Sequence, residues 1–138
     1  MRIIVLAVTA TLAAAGAGAE DTAPYPVEDC SKLTVQMELN RCADDNREAA
    51  DTALNKVYRG LLAEQDGAAA KAALKKVERA WIVYRDRECA SEVGPQQSGG
   101  SIWPMEMSNC LEEKTAARLR QLMKLRGCSA GVSACHPH

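Results

Sequence analysis

Apolar residues recur at three- and four-residue spacing through the middle of the chain, which is the period of an amphipathic helix. The first such stretch covers about residues 35–65 and predicts helix A. Thr34 is positioned to cap its start, and Asp66-Gly67 supplies the turn that ends it. The apolar stripe of helix A consists of Leu39, Cys42, Ala43, Ala50, Leu54, Val57, Tyr58, Leu61 and Leu62.

Two more helices follow. Helix B is predicted over about 68–90, and helix C from near Pro104, a residue suited to a first helical turn, to Arg126. Between them, residues 93–101 contain so many glycine, proline and polar residues that we predict a loop. The fold class is therefore all-α, a small three-helix antiparallel bundle in which helices B and C form a hairpin beside the long helix A. On helix B one face carries Leu74, Val77, Trp81 and Tyr84, and Lys75, Lys76, Arg79 and Arg87 lie largely outside it.

The N-terminus predicts export. Arg2 precedes an apolar run over 3–15, and the small residues 16–19 follow, ending in Ala17-x-Ala19. We read residues 1–19 as a signal peptide, because a membrane-spanning helix needs roughly 20 apolar residues. The residue directly after the expected cleavage at Ala19 is Glu20 and not a cysteine, and no second apolar stretch is long enough to span a bilayer. We therefore expect a periplasmic or secreted product without a lipid anchor or membrane span.

The predicted mature part divides into three segments. Residues 20–29 contain Pro24 and Pro26 and form a flexible or extended lead-in, 30–126 form the helical domain, and 127–138 form a tail without periodicity. After loss of Arg2, 16 of the 17 basic residues remain against 18 acidic ones, a net charge of −2. Binding to nucleic acid would require a concentrated basic surface, so no such partner is expected.

Charge is unevenly distributed along the helices. Residues 38–51 carry five acidic and two basic residues, a local net charge of −3, and residues 112–126 carry two acidic and five basic ones, a net of +3. We interpret these stretches as solvated faces that also help the helices to pair. The alternative is that the acidic stretch is a patch for a basic partner.

Six cysteines in a small exported chain indicate a disulfide framework. Cys89 at the end of helix B and Cys110 in the first turns of helix C meet in an antiparallel hairpin. The lead-in brings Cys30 back along the first turns of helix A, where it can pair with Cys42. For Cys128 and Cys135 two alternatives stay open, a bond to each other or free thiols.

Short motifs follow one another in a specific order over about residues 30–125. They are Gln36-x-Glu38-Leu39-Asn40-x-Cys42-Ala43, Leu54-Asn55-x-Val57-Tyr58, Ala80-Trp81-Ile82-x-Tyr84-Arg85-Asp86-x-x-Cys89, Gly100-Ser101-Ile102 and Cys110-Leu111-x-x-x-Thr115-x-x-Arg118-Leu119. As an ordered set they resemble the LprI-like lysozyme-inhibitor N-terminal domain family. Its members are exported bacterial proteins with a small helical fold and the named activity is inhibition of lysozyme, so the resemblance implies lysozyme inhibition. Val35 stands where a polar helix-start residue is usual in that family, and Cys128 and Cys135 are additional.

Most of the conspicuous side chains in these motifs are interpreted as structural. A tryptophan anchors a buried face while its indole N–H finds an acceptor, and Arg85 and Asp86 are expected either to pair across helices or to be satisfied by Asn55. The group assigned to packing consists of Asn55, Tyr58, Trp81, Tyr84, Arg85 and Asp86.

The connection between helices B and C is the better candidate for partner contact, because loops on a rigid scaffold commonly carry recognition. The alternative is an ordinary helix connection. Lysozyme cleaves glycans with two carboxyl groups in a cleft, which a protruding segment can block without chemistry. The predicted contact residues are Gln96, Gln97, Ser98, Ser101 and the exposed part of Trp103.

No enzymatic activity or cofactor is expected, since the cysteines look paired and His136 and His138 end the chain. The leading hypothesis is an exported protein that occludes a lysozyme. A second is an envelope structural or interaction module that docks on another bacterial protein through the acidic part of helix A. A third is binding of zinc or copper by Cys135-His136-x-His138, for which two ligands on a chain end are weak support, and no metal site is assigned.

Overall fold

The structure is a computed structural model that describes residues 23–127, and over that range it is helical without strands. None of the helices in this range is long and apolar enough to cross a membrane. The predicted signal peptide, Cys128, Cys135 and the two histidines lie outside the described residues. The elements are a 3₁₀ turn at Cys30–Lys32, α1 (Gln36–Glu64), α2 (Gly67–Val93), α3 (Gln96–Gly99), a second 3₁₀ turn at Gly100–Ile102, and α4 (Trp103–Arg126).

The three-helix prediction is confirmed, with helices A, B and C corresponding to α1, α2 and α4. α4 ends as predicted, because Gly127 adopts the left-handed conformation (φ 74°, ψ 21°) and its N–H bonds the carbonyls of Lys124 and Met123. The predicted cap of α1 is wrong. Val35 occupies the N-cap position and no side chain caps the helix, so Thr34 lies one residue too early for that role.

The hydrophobic core lies between α1 and α4. Leu54, Val57 and Leu61 of α1 pack against Leu119 and Leu122 of α4, and each is at most 8% exposed. Burying side chains of this size stabilises the fold by roughly 1.5–3 kcal/mol each. This pair of long helices is the rigid base on which the remaining elements are arranged.

α2 is attached differently, because only Glu78 and Cys89 are buried along its length. Its line of contact runs mainly along α4, and Trp81 packs half-buried at the edge of the core. Val77 is 54% exposed and Tyr84 57%. The expectation that Tyr84 packs in the core is therefore wrong, because α2 meets the bundle through Leu74, Trp81, Cys89 and the charged Glu78 instead.

The segment after α2 is more regular than predicted. Instead of a loop it contains the one-turn helix α3 and a 3₁₀ turn. Gly94 (φ 79°) and Gly100 (φ 57°) supply the positive φ angles that interrupt the chain on either side of α3. The glycines that predicted a loop thus form two defined turns, one before α3 and one after it.

The described part of the lead-in, residues 23–29, contains no helix or strand, yet Tyr25 anchors it to the core. The Tyr25 ring is 8% exposed, and its hydroxyl donates a hydrogen bond to Glu112 of α4. Asn46 of α1 also binds the Glu28 backbone, accepting from its N–H at 2.7 Å and donating to its carbonyl at 3.0 Å. These contacts hold the lead-in against the bundle from Tyr25 to Glu28.

Candidate partner-binding site

Two disulfides fix the base of the candidate site, and both predicted pairings are confirmed. Cys89 and Cys110 join α2 to α4 with their Cα atoms 5.7 Å apart, and Cys30 and Cys42 join the 3₁₀ turn to α1 with a separation of 6.0 Å. Closing loops of this length stabilises a fold by roughly 3 kcal/mol each through loop-closure entropy. The α2–α4 connection therefore begins and ends on helices that are covalently tied together.

Hydrogen bonds brace the connection at both ends. The Trp103 indole N–H donates to the Gly94 carbonyl at 3.0 Å, and the Asn40 side-chain amide of α1 donates to the Ser101 carbonyl at 3.0 Å. Trp103 also lies tightly against Gly99, where an added Cβ atom would be 2.7 Å from the tryptophan Cβ and Cδ1 atoms. Only glycine allows this close approach, so Gly99 is needed for Trp103 to pack against the segment.

The predicted contact residues lie together on this braced segment. Gln96, Gln97, Ser98 and Ser101 are exposed, whereas Trp103 is half-buried. The Trp103 indole N–H is occupied by the Gly94 carbonyl, so this residue supports the segment from beneath. The four exposed side chains are uncharged and offer amide and hydroxyl groups to a partner.

The Trp81 and Arg85 group ties all three long helices together. The guanidinium of Arg85 lies 5.2 Å from the centre of the Trp81 ring, and its Nη1 donates to Asp51 of α1 at 3.0 Å and to Thr115 of α4 at 3.1 Å. Thr115 is fully buried. This geometry supports the structural interpretation of Trp81 and Arg85.

Two other residues of the group assigned to packing, Asp86 and Asn55, are placed differently from the prediction. Asp86 pairs with Arg85 on the same helix at 2.9 Å rather than across helices. Asn55 is exposed and makes no hydrogen bond to either residue, so its expected roles in packing and in satisfying them are wrong. Tyr58 is partly buried against the core as expected.

The basic stretch of α4 pairs with the other two helices, as the charge pattern suggested. Arg118 donates to Glu78 of α2 at 2.8 Å, and Arg126 contacts Glu64 of α1 at 2.8 Å. Glu78 is 5% exposed. Sequence reasoning did not single out this buried pair, although a glutamate four residues after Leu74 on an apolar helix face was a signal for it.

A second ionic cluster between α2 and α4 lies beside the disulfide that joins these helices. Lys114 contacts Glu92 at 2.8 Å and Glu88 at 3.4 Å. The hydrogen bond to Glu92 raises the pKa of Lys114, and a hydrogen bond from Tyr84, reinforced by Lys114, lowers the pKa of Glu88. Both shifts favour the charged forms, so this cluster helps to hold the end of α2 near the connection.

Most of the described range matches a known family. A family model described as lysozyme inhibitor LprI matches residues 28–122. The chain belongs to the LprI lysozyme-inhibitor family. The matched range of this LprI-family chain includes both disulfides and the braced connection, but it begins after Tyr25.

A similar protein is known by sequence. The LprI-family chain is similar to an uncharacterised protein of Rhizobium meliloti (strain 1021), with 43% identity over 115 residues that cover 75% of this chain and 82% of the relative. No solved structure matches it. Membership of the family is therefore shown by sequence similarity, whereas the candidate site is described from the structure of this chain alone.

Proposed function

We propose that this chain is an exported lysozyme inhibitor that inserts the α2–α4 connection, residues 94–103, into the glycan-binding cleft of the enzyme. The observation that carries the proposal is the bracing of this exposed segment. Its two ends are fixed by the Cys89–Cys110 bond and by hydrogen bonds to Gly94 and Ser101. A segment whose backbone is ordered before binding loses less conformational entropy on association.

The chemistry of the segment suits the cleft of a glycan-cleaving enzyme. Such a cleft presents two carboxyl groups and hydrogen-bonding groups that recognise sugar hydroxyls. The amides of Gln96 and Gln97 donate and accept hydrogen bonds, as do the hydroxyls of Ser98 and Ser101. A peptide segment contains no glycosidic bond, so it occupies the cleft without being cleaved.

The covalent framework fits the export that the N-terminus predicts. Cys30–Cys42 and Cys89–Cys110 suit an oxidising compartment, and in a domain of this size they supply a large part of the stability. The proposed site of action is accordingly the periplasm or the exterior of the cell.

The test is an inhibition assay with a basic c-type lysozyme and cell-wall substrate, using the mature protein with its disulfides intact. The variant Gln96→Ala/Gln97→Ala removes two exposed amides from the connection. We expect it to weaken inhibition at least about tenfold, since two hydrogen bonds to charged groups contribute about 1.5–3 kcal/mol each.

The matched control is Thr52→Ala/Asn55→Ala, which removes two exposed uncharged side chains from the middle of α1. This variant should inhibit like the wild type, and circular dichroism should show that both variants are folded. Equal inhibition by the two variants would contradict the assigned site, and a folded wild-type protein that does not inhibit at micromolar concentrations would contradict the proposed function.

A further inference from the structure

The first half of α1 has an outward face that no other described element covers. We call it the acidic face and define it by Met37, Glu38, Arg41, Asp45 and Glu48. Met37 is 77% exposed, and the side chains of Asp45 and Glu48 are 53% and 67% exposed. Three exposed carboxylates along one helix face, with an exposed methionine at its start, form a surface suited to a basic protein.

The structure divides the acidic stretch into internal and outward-facing carboxylates. Asp44 and Asp51 bind Arg47 at 2.8 and 3.1 Å, and Asp51 also accepts a hydrogen bond from Arg85. These two are therefore committed to the fold. The outward-facing carboxylates are only weakly paired: Arg41 lies 3.8 Å from Asp45 and Arg47 lies 3.5 Å from Glu48, and both carboxylates are exposed. Glu38 forms no ion pair with any described residue.

A groove of about 250 Å³ adjoins this face, between the Cys30–Lys32 turn and α1. The residues that line the groove are Leu33, the disulfide-bonded Cys42, three acidic residues and one basic one, namely Glu28, Glu38, Asp45 and Arg41. The aliphatic stem of a lysine or arginine can lie on the apolar part while its charged head meets the carboxylates. The groove thus has the composition required for one basic side chain.

The acidic face lies next to the α2–α4 connection. Asn40, on the same turn of α1 as Glu38 and Arg41, binds the Ser101 carbonyl, and Gln36 one turn earlier contacts the sulfur of Met105. One enzyme seated on the connection would therefore also meet the first turns of α1. The acidic face therefore lies close enough to the connection to contact the same partner.

We infer that the acidic face and the connection form one recognition surface for a basic lysozyme, and that the groove receives a lysine or arginine of that enzyme. The inference rests on the proposed function and specifies its partner. Enzymes that act on anionic wall polymers gain from a positive surface, and a negative inhibitor surface beside the cleft-filling segment attracts that charge.

The experiment measures association and dissociation of a basic c-type lysozyme with the mature protein at low and high ionic strength. The variant Glu38→Gln/Asp45→Asn removes two charges from the acidic face and the groove. We expect the association rate constant to fall about three- to tenfold at low ionic strength, and the difference to shrink at high ionic strength as salt screens the charges.

The matched control is Asp66→Asn/Glu113→Gln, which changes the net charge equally at two exposed positions away from the face. Its association rate constant should stay within about twofold of the wild type. The inference is overturned alone if the wild type binds, Gln96→Ala/Gln97→Ala weakens binding and Glu38→Gln/Asp45→Asn does not differ from the control. If the folded wild type does not bind, the proposed function fails and the inference with it.

Discussion

Replacing Arg118 with methionine tests how α2 is held on the bundle. Arg118 donates from Nε at 3.1 Å and from Nη2 at 2.8 Å to a single oxygen of Glu78. Glu78 is 5% exposed and the Arg118 side chain 13%, so water screens the pair weakly. The other Glu78 oxygen is buried and has no hydrogen-bond partner among the described residues. Methionine keeps the aliphatic stem and removes the guanidinium.

The expected cost follows from the burial of Glu78. Removal of one partner from a buried ion pair leaves an uncompensated charge and typically costs about 3–5 kcal/mol. Arg118 also lies 5.8 Å from the centre of the Trp81 ring, a contact worth about 0.5–1 kcal/mol. Against a total stability of about 5–15 kcal/mol this is a large loss. Because α2 buries few apolar side chains, we expect its detachment to dominate the effect.

The assay is urea unfolding followed by far-ultraviolet circular dichroism with the disulfides intact. Arg118→Met should lower the free energy of unfolding by about 3–5 kcal/mol. The double variant Glu78→Leu/Arg118→Met should recover most of that loss, since removing both charges of a buried pair is often neutral or stabilising. Arg120→Met, an exposed cation on the same helix, serves as the control and should stay within about 0.5 kcal/mol of the wild type.

Two results would refute this reasoning. One is a loss below about 1 kcal/mol for Arg118→Met, which is the range of an exposed ion pair. The other is a double variant as unstable as the single one, because the cost would then come from lost packing rather than from an unpaired Glu78 carboxylate.

Further predictions concern the lead-in and the connection. Tyr25→Phe should lower the free energy of unfolding by about 1–2 kcal/mol in a urea titration, because its hydroxyl donates to Glu112. Burial and this hydrogen bond raise the pKa of Tyr25. Its stabilising contribution is therefore complete below the unfolded-state pKa of about 10 and is lost as the pH rises further; an alkaline titration should show a steeper loss in the wild type than in Tyr25→Phe. Gly99→Ala should displace the Trp103 indole, shift its fluorescence and weaken lysozyme inhibition, and unchanged emission with full inhibition would show that the close contact is dispensable.

The weak burial of α2 has a consequence for the rest of the molecule. Glu78–Arg118, Lys114 with its two glutamates and the Cys89–Cys110 bond hold this helix, whereas α1 and α4 share the apolar core. Salt weakens the partly exposed contacts of Lys114 with Glu88 and Glu92, whereas it screens the buried Glu78–Arg118 pair much less. The α2 end of the connection is therefore more dependent on charge and on the disulfide than the α4 end.

Local pattern was sufficient for the helices and for the cysteine pairs. The spacing of apolar residues and the Gly and Pro positions act over a few residues, so they located α1, α2 and α4 to within about three residues. Cys89 and Cys110 needed only the antiparallel hairpin that these helices imply. The motif set also indicated the family, because an ordered series of short motifs is specific even where each one is weak.

Tertiary contacts decided which face of α2 is used. By sequence, Val77 and Tyr84 share a stripe with Leu74 and Trp81, but the side chains of α4 that meet α2 include Arg118 and Lys114. Their charges select Glu78 and Glu88 for the interface and turn Val77 and Tyr84 towards solvent. No local rule contains this information, since Lys114 lies 26 positions from Glu88 and Arg118 lies 40 positions from Glu78.

The amino-acid sequence by itself thus determined the fold class, the helix positions, two disulfides and the family, because these depend on periodicity and short-range geometry. Only the tertiary structure decided that Tyr25 is an anchor, that the α2–α4 connection is braced by Asn40 and Trp103, and that the outward carboxylates of α1 lie beside it. Each of these depends on side chains that are distant along the chain and meet only when the helices pack.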